Sequence, residues 1–286
     1  MSFRTLVVAS LLVFGSLSSE AASSKTPTRP EVRSATALIV DAENGQVLFE
    51  REAAHIGPIA SITKLMTALV VIDGQQPLDE VIQITKEDVW RGKGAHSRLA
   101  VGSKFTRAEL LKLALMASEN RAAHVLGRNY PGGSAAFVKT MNLKARALGM
   151  TRSRFADASG LSNNNVSNAR DLVKLVNAAS RDSRIREFST LRSLEVRVGK
   201  SLLMYRNTNL LIGKPDWDIH VQKTGYTNDA GQCLVMETVI GERPVVMVFL
   251  NSFGSLTRTA DARRIRKWME AQELPRVAGS GDLARK

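Results

Sequence analysis

One segment constrains the fold more than any other, because it is apolar nearly all the way round a helix. Residues 61–72 read Ser-Ile-Thr-Lys-Leu-Met-Thr-Ala-Leu-Val-Val-Ile, and Gly74 follows as a natural C-terminal cap. A helix without a polar face has to be buried on all sides. The chain has 286 residues, which is enough to surround such a helix with a large core.

The strand patterns lie toward the two ends of the chain. Residues 37–40 and 46–49 flank an Asn44-Gly45 turn signal and predict a hairpin. Residues 233–239 and 245–250 predict two further strands, the extended run 220–226 predicts another, and residues 257–272 predict a closing helix. We therefore expect an α/β fold with an antiparallel sheet that is built from both chain ends and flanked by helices.

The middle of the chain predicts a mostly helical subdomain, inserted at about 75–200. Thr106 to Glu109 form a capping box that opens a helix over 110–117. Residues 134–148 and 168–179 predict two more helices.

The first residues predict export. A short basic start, an apolar run over 5–17 and small residues up to Ala22 are typical of a signal peptide, here residues 1–22. The alternative is an uncleaved anchor. We expect a disordered lead-in over 23–32, a folded domain over 33–275 and a flexible tail over 276–286.

The net charge of +13 favours a polyanionic partner. Export argues against nucleic acid and for an anionic wall polymer, and a weak contact with a membrane surface is compatible with the same charge. The single cysteine, Cys233, opens an apolar run and is expected to be a buried core residue. The four histidines lack ligand spacing, so we expect neither a metal site nor a cofactor.

The buried helix also contains a candidate nucleophile and base. Ser61 and Lys64 lie three residues apart, so their side chains share one helix face. A serine hydroxyl needs an adjacent base, and a lysine can be that base when burial or a nearby cation lowers its pKa. Backbone N–H groups at the helix start can bind an oxyanion.

Two further motifs can complete such a site. Ser118-Glu119-Asn120 follows a packed helix, whereas Ser162-Asn163-Asn164 has the same pattern in a loop. We prefer Ser118 and Asn120, because a packed helix fixes their position. Lys223-Thr224-Gly225 ends a predicted strand. There Lys223 can bind a carboxylate and hold down the pKa of Lys64, Thr224 can donate a hydrogen bond, and Gly225 lets a substrate backbone approach.

Together, the motifs resemble the Ser-x-x-Lys, Ser-x-Asn and Lys-Thr-Gly triplet of penicillin-binding proteins and serine β-lactamases. The flanking sequences, Pro58 to Thr67, Leu115 to Ala123 and Lys223 to Thr227, are most similar to low-molecular-mass D,D-peptidases of the D-alanyl-D-alanine endopeptidase branch. This resemblance implies a β-lactamase/D,D-peptidase-like fold.

The resemblance also implies a function and a role for each residue. Ser61 would attack a D-alanyl carbonyl, Lys64 would take its proton, and Ser118 and Asn120 would relay protons and hold the substrate amide. The remaining implied roles are substrate binding by Lys223, Thr224, Gly225 and Tyr226, with an oxyanion hole at the N–H groups of Ser61 and Tyr226. The implied partners are cross-linked peptidoglycan and β-lactam antibiotics, and the implied location is the periplasm.

Three alternatives stay open. A D-alanyl-D-alanine carboxypeptidase uses the same chemistry, although such relatives often have a C-terminal β domain and an amphipathic anchor, and this chain ends soon after Trp268. A serine β-lactamase of class A uses a Glu to release its acyl group, and the loop over 157–163 contains none. A non-catalytic wall-binding relative would be expected to have lost Ser61 or Lys64.

Overall fold

The structure is a computed structural model that describes residues 29–90, 92 and 97–277. The strands are β1 Thr36–Asp41, β2 Val47–Arg51, β3 Gly57–Pro58, β4 Val81–Gln83, β5 Lys104–Thr106, β6 Val166–Ser167, β7 Ser193–Val198, β8 Ser201–Arg206, β9 Asp218–Thr227, β10 Gly231–Ile240 and β11 Arg243–Ser252. The helices are α1 Thr63–Asp73, α2 Arg107–Met116, α3 Asn120–Arg128, α4 Gly133–Ala147, α5 Ala169–Ser180, α6 Ser183–Thr190 and α7 Thr257–Val277.

The main sheet is antiparallel and has the strand order β2-β1-β11-β10-β9. The N-terminal hairpin supplies β1 and β2, and the C-terminal part of the chain supplies the other three strands. The prediction of a sheet from both chain ends is therefore confirmed. Strand β9 lies at one edge, so its outer side is free to face the helices and a cleft.

The two faces of the sheet are covered by different helices, as the alternation of side chains in β1 shows. Ala37 and Ile39 face α7 and pack with Ile265 and Met269. Leu38 belongs to the larger core cluster on the opposite face, where the other helices pack. Helix α5 contacts β1, β9, β10 and β11 on that side. Burial on both faces explains why β1 is apolar throughout its first five residues except Thr36.

The helix predicted to be buried is buried. Every residue of α1 from Thr63 to Ile72 is buried, and the helix is packed among α2, α3, α4, α5 and α6. Its start differs from the prediction, because residues 60–62 form a 3₁₀ turn that leads into the α-helix. This turn holds Ser61 at the mouth of the helix rather than on its side.

The middle of the chain is helical with two additional hairpins. Helices α2 to α6 lie within residues 107–190, and Thr106 caps α2 in the predicted capping box. The hairpins β4–β5 and β7–β8, both antiparallel, were not predicted; the first lies within the mostly helical part and the second at its C-terminal end. Helix α3 lies within the range predicted to be mostly helical, but it was not assigned as a separate helix; its buried face consists of Ala122, Ala123, Val125 and Leu126.

The ends of the folded part differ slightly from the predicted boundaries. Val32, assigned to the lead-in, is buried in the core cluster beneath α7. Helix α7 continues to Val277, so the first two residues of the predicted tail are helical. The predicted signal peptide at 1–22 lies outside the described residues. Within residues 29–90, 92 and 97–277, no helix has the length and apolar character needed to cross a membrane.

Candidate active site

The 3₁₀ turn before α1 brings the candidate nucleophile next to the candidate base. Ala60 has a left-handed φ of 47°, and Ser61 follows it with a half-buried side chain. Lys64 lies in the first turn of α1 and is fully buried. Its Nζ is 2.7 Å from Ser61 Oγ. The spacing in sequence therefore places the two groups in contact, as predicted.

The Lys64 amine has two other partners, and both can only accept. Its Nζ donates to Asn120 Oδ1 at 2.7 Å and to the Ser159 carbonyl at 2.6 Å. A neutral amine has two N–H bonds and one lone pair. When those two N–H bonds go to Asn120 and Ser159, the lone pair is left for the proton of Ser61. The contacts thus orient a neutral Lys64 as a base toward the hydroxyl.

Burial lowers the pKa of Lys64 from 10.5 to about 7, and the negative charges of Asp157 and Glu119 oppose this shift. From the sequence, Lys223 was expected to help lower the pKa of Lys64, but Lys223 is not among the causes of that shift. The charge of Lys64 is instead the second cause, after burial, of a Lys223 pKa well below its usual value. A substantial neutral fraction of Lys64 at neutral pH follows from desolvation.

The second motif lies across the cleft, at the junction of α2 and α3. Ser118 has a left-handed φ of 59°, which turns the chain sharply after α2. Asn120 begins α3 and reaches Lys64, whereas Ser118 Oγ accepts from Lys223 Nζ at 2.9 Å. Asn163, in the alternative motif, bonds Asp229 instead. The structure therefore brings Ser118 and Asn120 to the lysines.

The third motif lies on the edge strand β9. Lys223 is fully buried, and its Nζ also donates to the Thr224 carbonyl at 2.7 Å. Thr224 Oγ1 is 2.6 Å from Thr208 Oγ1, on the segment after β8. Tyr226 is 57% exposed, so its side chain lines the rim. Lys223, Ser118 and Thr224 thus form a polar wall beside the Ser61–Lys64 pair.

Gly225 allows this wall to approach the nucleophile. A Cβ atom at Gly225 would lie 3.0 Å from the Ile59 carbonyl oxygen and 3.1 Å from Ser61 N. Distances this short are tighter than nine in ten real Cβ contacts, so a side chain at 225 would force β9 and the Ser61 turn apart by a few tenths of an ångström. Glycine therefore lets β9 run this close to the Ser61 backbone.

The loop after α4 supports the base and was missed as part of the site. Asp157 accepts hydrogen bonds from the backbone of Ser159, Gly160 and Ser162 and from the side chains of Ser159 and Asn165. Burial alone raises the pKa of Asp157, but the hydrogen bonds from Ser162 and Ser159 outweigh it and the pKa is lowered. This network fixes the Ser159 carbonyl that Lys64 contacts. The Asp-Ala-Ser-Gly pattern, a turn signal, was the available clue.

Gly160 makes the same loop fit against the nucleophile turn. It has a φ of +82°, and a Cβ there would lie 1.9 Å from the Ala60 carbonyl oxygen. Both the positive φ and the short distance exclude a side chain at position 160. Thr67 Oγ1 adds a contact from α1 to the Ala158 carbonyl at 2.6 Å.

The cysteine and the histidines within the described residues, which the sequence analysis did not assign to the site, show no catalytic arrangement. Cys233 is buried, and burial raises its pKa to about 11, which confirms a core role. His124 is stacked on Trp90, and burial lowers its pKa. Within the described part of the chain, no three His, Cys, Asp or Glu side chains cluster as metal ligands.

The chain is similar to known proteins along most of its length. The family model described as D-alanyl-D-alanine carboxypeptidase, peptidase S11, matches residues 23–254. The D-alanyl-D-alanine endopeptidase of Pseudomonas aeruginosa is 46% identical over 261 residues, covering 91% of this chain and 84% of the relative. The D-alanyl-D-alanine endopeptidase of Escherichia coli is 44% identical, covering 88% of this chain and 82% of the relative.

Solved structures share the fold. The Streptomyces K15 DD-transpeptidase superposes with a TM-score of 0.79 at 27% identity, over 85% of this chain and 99% of that one. Penicillin-binding protein D2 of Listeria monocytogenes in its cefotaxime-bound form has a TM-score of 0.75 at 27% identity, over 84% and 98%. The predicted β-lactamase/D,D-peptidase-like fold is confirmed, and the chain belongs to the peptidase S11 family of serine D,D-peptidases.

Proposed function

We propose that this protein is a D-alanyl-D-alanine endopeptidase that cuts peptidoglycan cross-links through an acyl-enzyme on Ser61. One observation carries the proposal above the others. Lys64 is fully buried, its two N–H bonds have fixed acceptors, and its third position faces Ser61 Oγ at 2.7 Å. A general base with a pKa near the working pH is the most effective one, and burial lowers that of Lys64 to about 7.

In the acylation step, Lys64 removes the Ser61 proton as Oγ bonds to the D-alanyl carbonyl carbon. The oxyanion that forms is held by the backbone N–H groups of Ser61 and Tyr226. The C–N bond then breaks, and the leaving amine takes a proton that reaches it from Lys64 along Ser118. Asn120 holds both Lys64 and the substrate amide. The product is a Ser61 ester and a free amine.

In the second step, water replaces the amine. Lys64 takes a proton from the water while the water oxygen attacks the ester carbonyl carbon. The bond between that carbon and Ser61 Oγ then breaks, and Lys64 returns the proton to Ser61 Oγ. Lys223 and Thr224 bind a carboxylate of the substrate, and Gly225 and Tyr226 provide the edge of β9 along which a peptide can lie. A β-lactam enters the same steps, its ring amide replacing the peptide bond.

The endopeptidase assignment is supported by the names of the two bacterial relatives with 46% and 44% identity. The second candidate is a D-alanyl-D-alanine carboxypeptidase, because the family description carries that name. Product analysis separates them. The mature protein is incubated with a cross-linked muropeptide dimer and with a pentapeptide monomer. Cleavage of the dimer alone supports the endopeptidase, and release of D-alanine from the monomer alone contradicts it.

Acylation itself is tested with a fluorescent penicillin. We expect wild type to be labelled covalently and Ser61→Ala to be unlabelled. Ser201→Ala is the matched control, because Ser201 is exposed on β8 away from the cleft and should label normally. Labelling of Ser61→Ala would remove Ser61 as nucleophile, and an unlabelled wild type would favour a non-catalytic wall-binding protein.

Export to the periplasm, a cleaved signal peptide at 1–22 and a weak contact with a membrane surface are part of the same proposal. They are supported by the sequence of the first residues and by the charge of +13. N-terminal sequencing of protein from a periplasmic extract tests the first two. A start within a few residues of Ser23 is expected, and a start at Met1 would contradict cleavage. Vesicle co-sedimentation at low salt tests the third, and no difference between anionic and neutral vesicles would contradict it.

A further inference from the structure

Arg258, in the first turn of α7, reaches from the helix to the end of the active-site strand. One of its guanidinium nitrogens, Nη1, donates to the Gly225 carbonyl at 2.7 Å and to the Cys233 carbonyl at 2.8 Å. Gly225 and Cys233 are directly opposite each other on β9 and β10. A single donor therefore ties together the two strands at the point where β9 passes the nucleophile.

The direction of the Gly225 carbonyl determines the direction of the next N–H group. The Gly225 C=O and the Tyr226 N–H belong to the same peptide unit, and the described residues contain no cis peptide bond. In a planar trans peptide, the C=O and the N–H point in opposite directions. Since the carbonyl points toward Arg258 at α7, the Tyr226 N–H points away from α7.

That opposite side is the side of the nucleophile. The missing Cβ of Gly225 would lie 3.1 Å from Ser61 N and 3.2 Å from the Ala60 Cβ, so this stretch of β9 borders the nucleophile turn. Because this stretch of β9 borders the nucleophile turn, a Tyr226 N–H that points away from α7 can serve the same cleft as the Ser61 N–H. We propose that Arg258 is a positioning residue, which sets the oxyanion hole by holding the Gly225–Tyr226 peptide in this orientation. This inference rests on the proposed function, because it assigns a part in the acylation of Ser61.

Two physical effects give Arg258 this influence. The first is geometric, since an oxyanion donor is effective only when it is fixed before the reaction. The second is electrostatic: a cation on the carbonyl oxygen polarises the amide and strengthens its N–H as a donor. The charge of Arg258 also extends to the adjacent polar wall, where it is the third cause, after burial and Lys64, of the lowered pKa of Lys223.

The simpler alternative is that Arg258 only fastens α7 to the sheet. In that case its loss would lower the melting temperature without selectively slowing the reaction. The experiment therefore compares Arg258→Met with Arg266→Met, a control on the same helix. Arg266 pairs with Glu270 and lies over Trp217, which precedes the start of β9, at the other end of the strand from Gly225. Arg258→Lys retains a donor, and because both contacts come from one nitrogen, it should restore part of the lost function.

The measurements are the acylation rate constant with a penicillin at saturation, its apparent dissociation constant, and the affinity for a boronic acid that forms a tetrahedral adduct on serine. For Arg258→Met we expect the rate constant and the boronate affinity to fall together by about 10²-fold, the scale for loss of one oxyanion donor. The apparent dissociation constant should change by less than about threefold, since the donor acts mainly in the transition state. Arg258→Lys should recover about tenfold of the loss.

The outcomes are distinct. A wild-type acylation rate constant in Arg258→Met, or an equal fall of that constant in Arg258→Met and Arg266→Met, overturns the inference. Neither result contradicts the proposed acylation of Ser61. An unlabelled wild type overturns the proposed function first. If Arg258→Met does not fold, Arg258→Gln replaces it, because its neutral amide is two atoms shorter and cannot reach both carbonyls. A rate for Arg258→Gln equal to that of Arg258→Lys then overturns the positioning role.

Discussion

The amine of Lys64 and the hydroxyl of Ser61 are 2.7 Å apart, at the start of a helix whose residues are buried from Thr63 to Ile72. Two acceptors, Asn120 Oδ1 and the Ser159 carbonyl, take the remaining N–H bonds of a neutral amine. Burial thus does two things at once. It leaves a substantial fraction of Lys64 uncharged at neutral pH, and it excludes the water that would otherwise compete for its lone pair.

The pH dependence of acylation should report the titration of Lys64. The amine is a base only when neutral, and its pKa is lowered from 10.5 to about 7 by burial. The rate constant should therefore rise with pH, with a midpoint near 7, and level off above it. Stopped-flow acylation between about pH 5 and about pH 9 checks this. A rise that begins only near the ordinary pKa of lysine would show that Lys64 is charged at neutral pH.

Replacement of the base should stop acylation without unfolding the protein. Lys64→Ala removes the proton acceptor, and we expect the rate constant to fall by about 10²- to 10⁴-fold. The melting temperature should fall only moderately. The cavity left by the side chain destabilises the fold, but removing the cost of burying an amine compensates for part of that loss. Circular dichroism controls for folding. Normal labelling of Lys64→Ala would exclude Lys64 as the base.

Gly225 should tolerate no side chain. In Gly225→Ala the new Cβ would lie 3.0 Å from the Ile59 carbonyl oxygen, so β9 has to move away from the nucleophile. We expect acylation to fall by about 10²-fold, because the Tyr226 N–H moves with the strand. Gly57→Ala is the control: its Cβ would meet nothing closer than 3.7 Å, at the flexible ring of His55. Equal rates in the two variants would contradict the close approach.

Release of a bound β-lactam should be slow. The carboxylate in the loop beside Ser61, Asp157, already accepts five hydrogen bonds and has a lowered pKa. A carboxylate held in this way is a poor base for activating water. A chromogenic cephalosporin should therefore give one burst equal to the enzyme concentration and little turnover afterwards. Sustained rapid turnover would instead indicate a β-lactamase.

Activity on whole cell walls should depend on salt. The charge of +13 attracts the protein to an anionic polymer, and salt screens this attraction. We expect the rate on sacculi to fall between low and high ionic strength, whereas the rate on a small soluble muropeptide changes little. Equal salt dependence with both substrates would assign the effect to the active site rather than to surface attraction.

Several features could be read directly from the sequence, because they depend on neighbouring residues. The Asn44-Gly45 turn defined the first hairpin, the apolar run defined the buried α1, and the spacing of Ser61 and Lys64 on one helix turn defined their contact. The choice of Ser118 and Asn120 over the loop motif at 162–164 also agreed with the structure. In each case a short-range rule of helix or turn geometry was sufficient.

Other features required contacts between distant parts of the chain. The Ser159 carbonyl reaches Lys64 across 95 positions, and Arg258 reaches Gly225 across 33. No local pattern marks a backbone carbonyl as an active-site group. The hairpin β7–β8 and helix α3 were also not assigned from the sequence, although Leu194, Val196 and Val198 alternate along β7 and α3 buries one apolar face. Their positions are set by packing against the rest of the molecule.

The sequence by itself determined which groups are candidates to react, because Ser61, Lys64 and the two other motifs are chemical identities at local spacings. Only the tertiary structure decided whether they could react. The pKa of Lys64 depends on complete burial by five surrounding helices, and the orientation of its lone pair depends on acceptors from two other segments. Desolvation and hydrogen-bond geometry belong to the assembled fold, so no single stretch of the chain contains them.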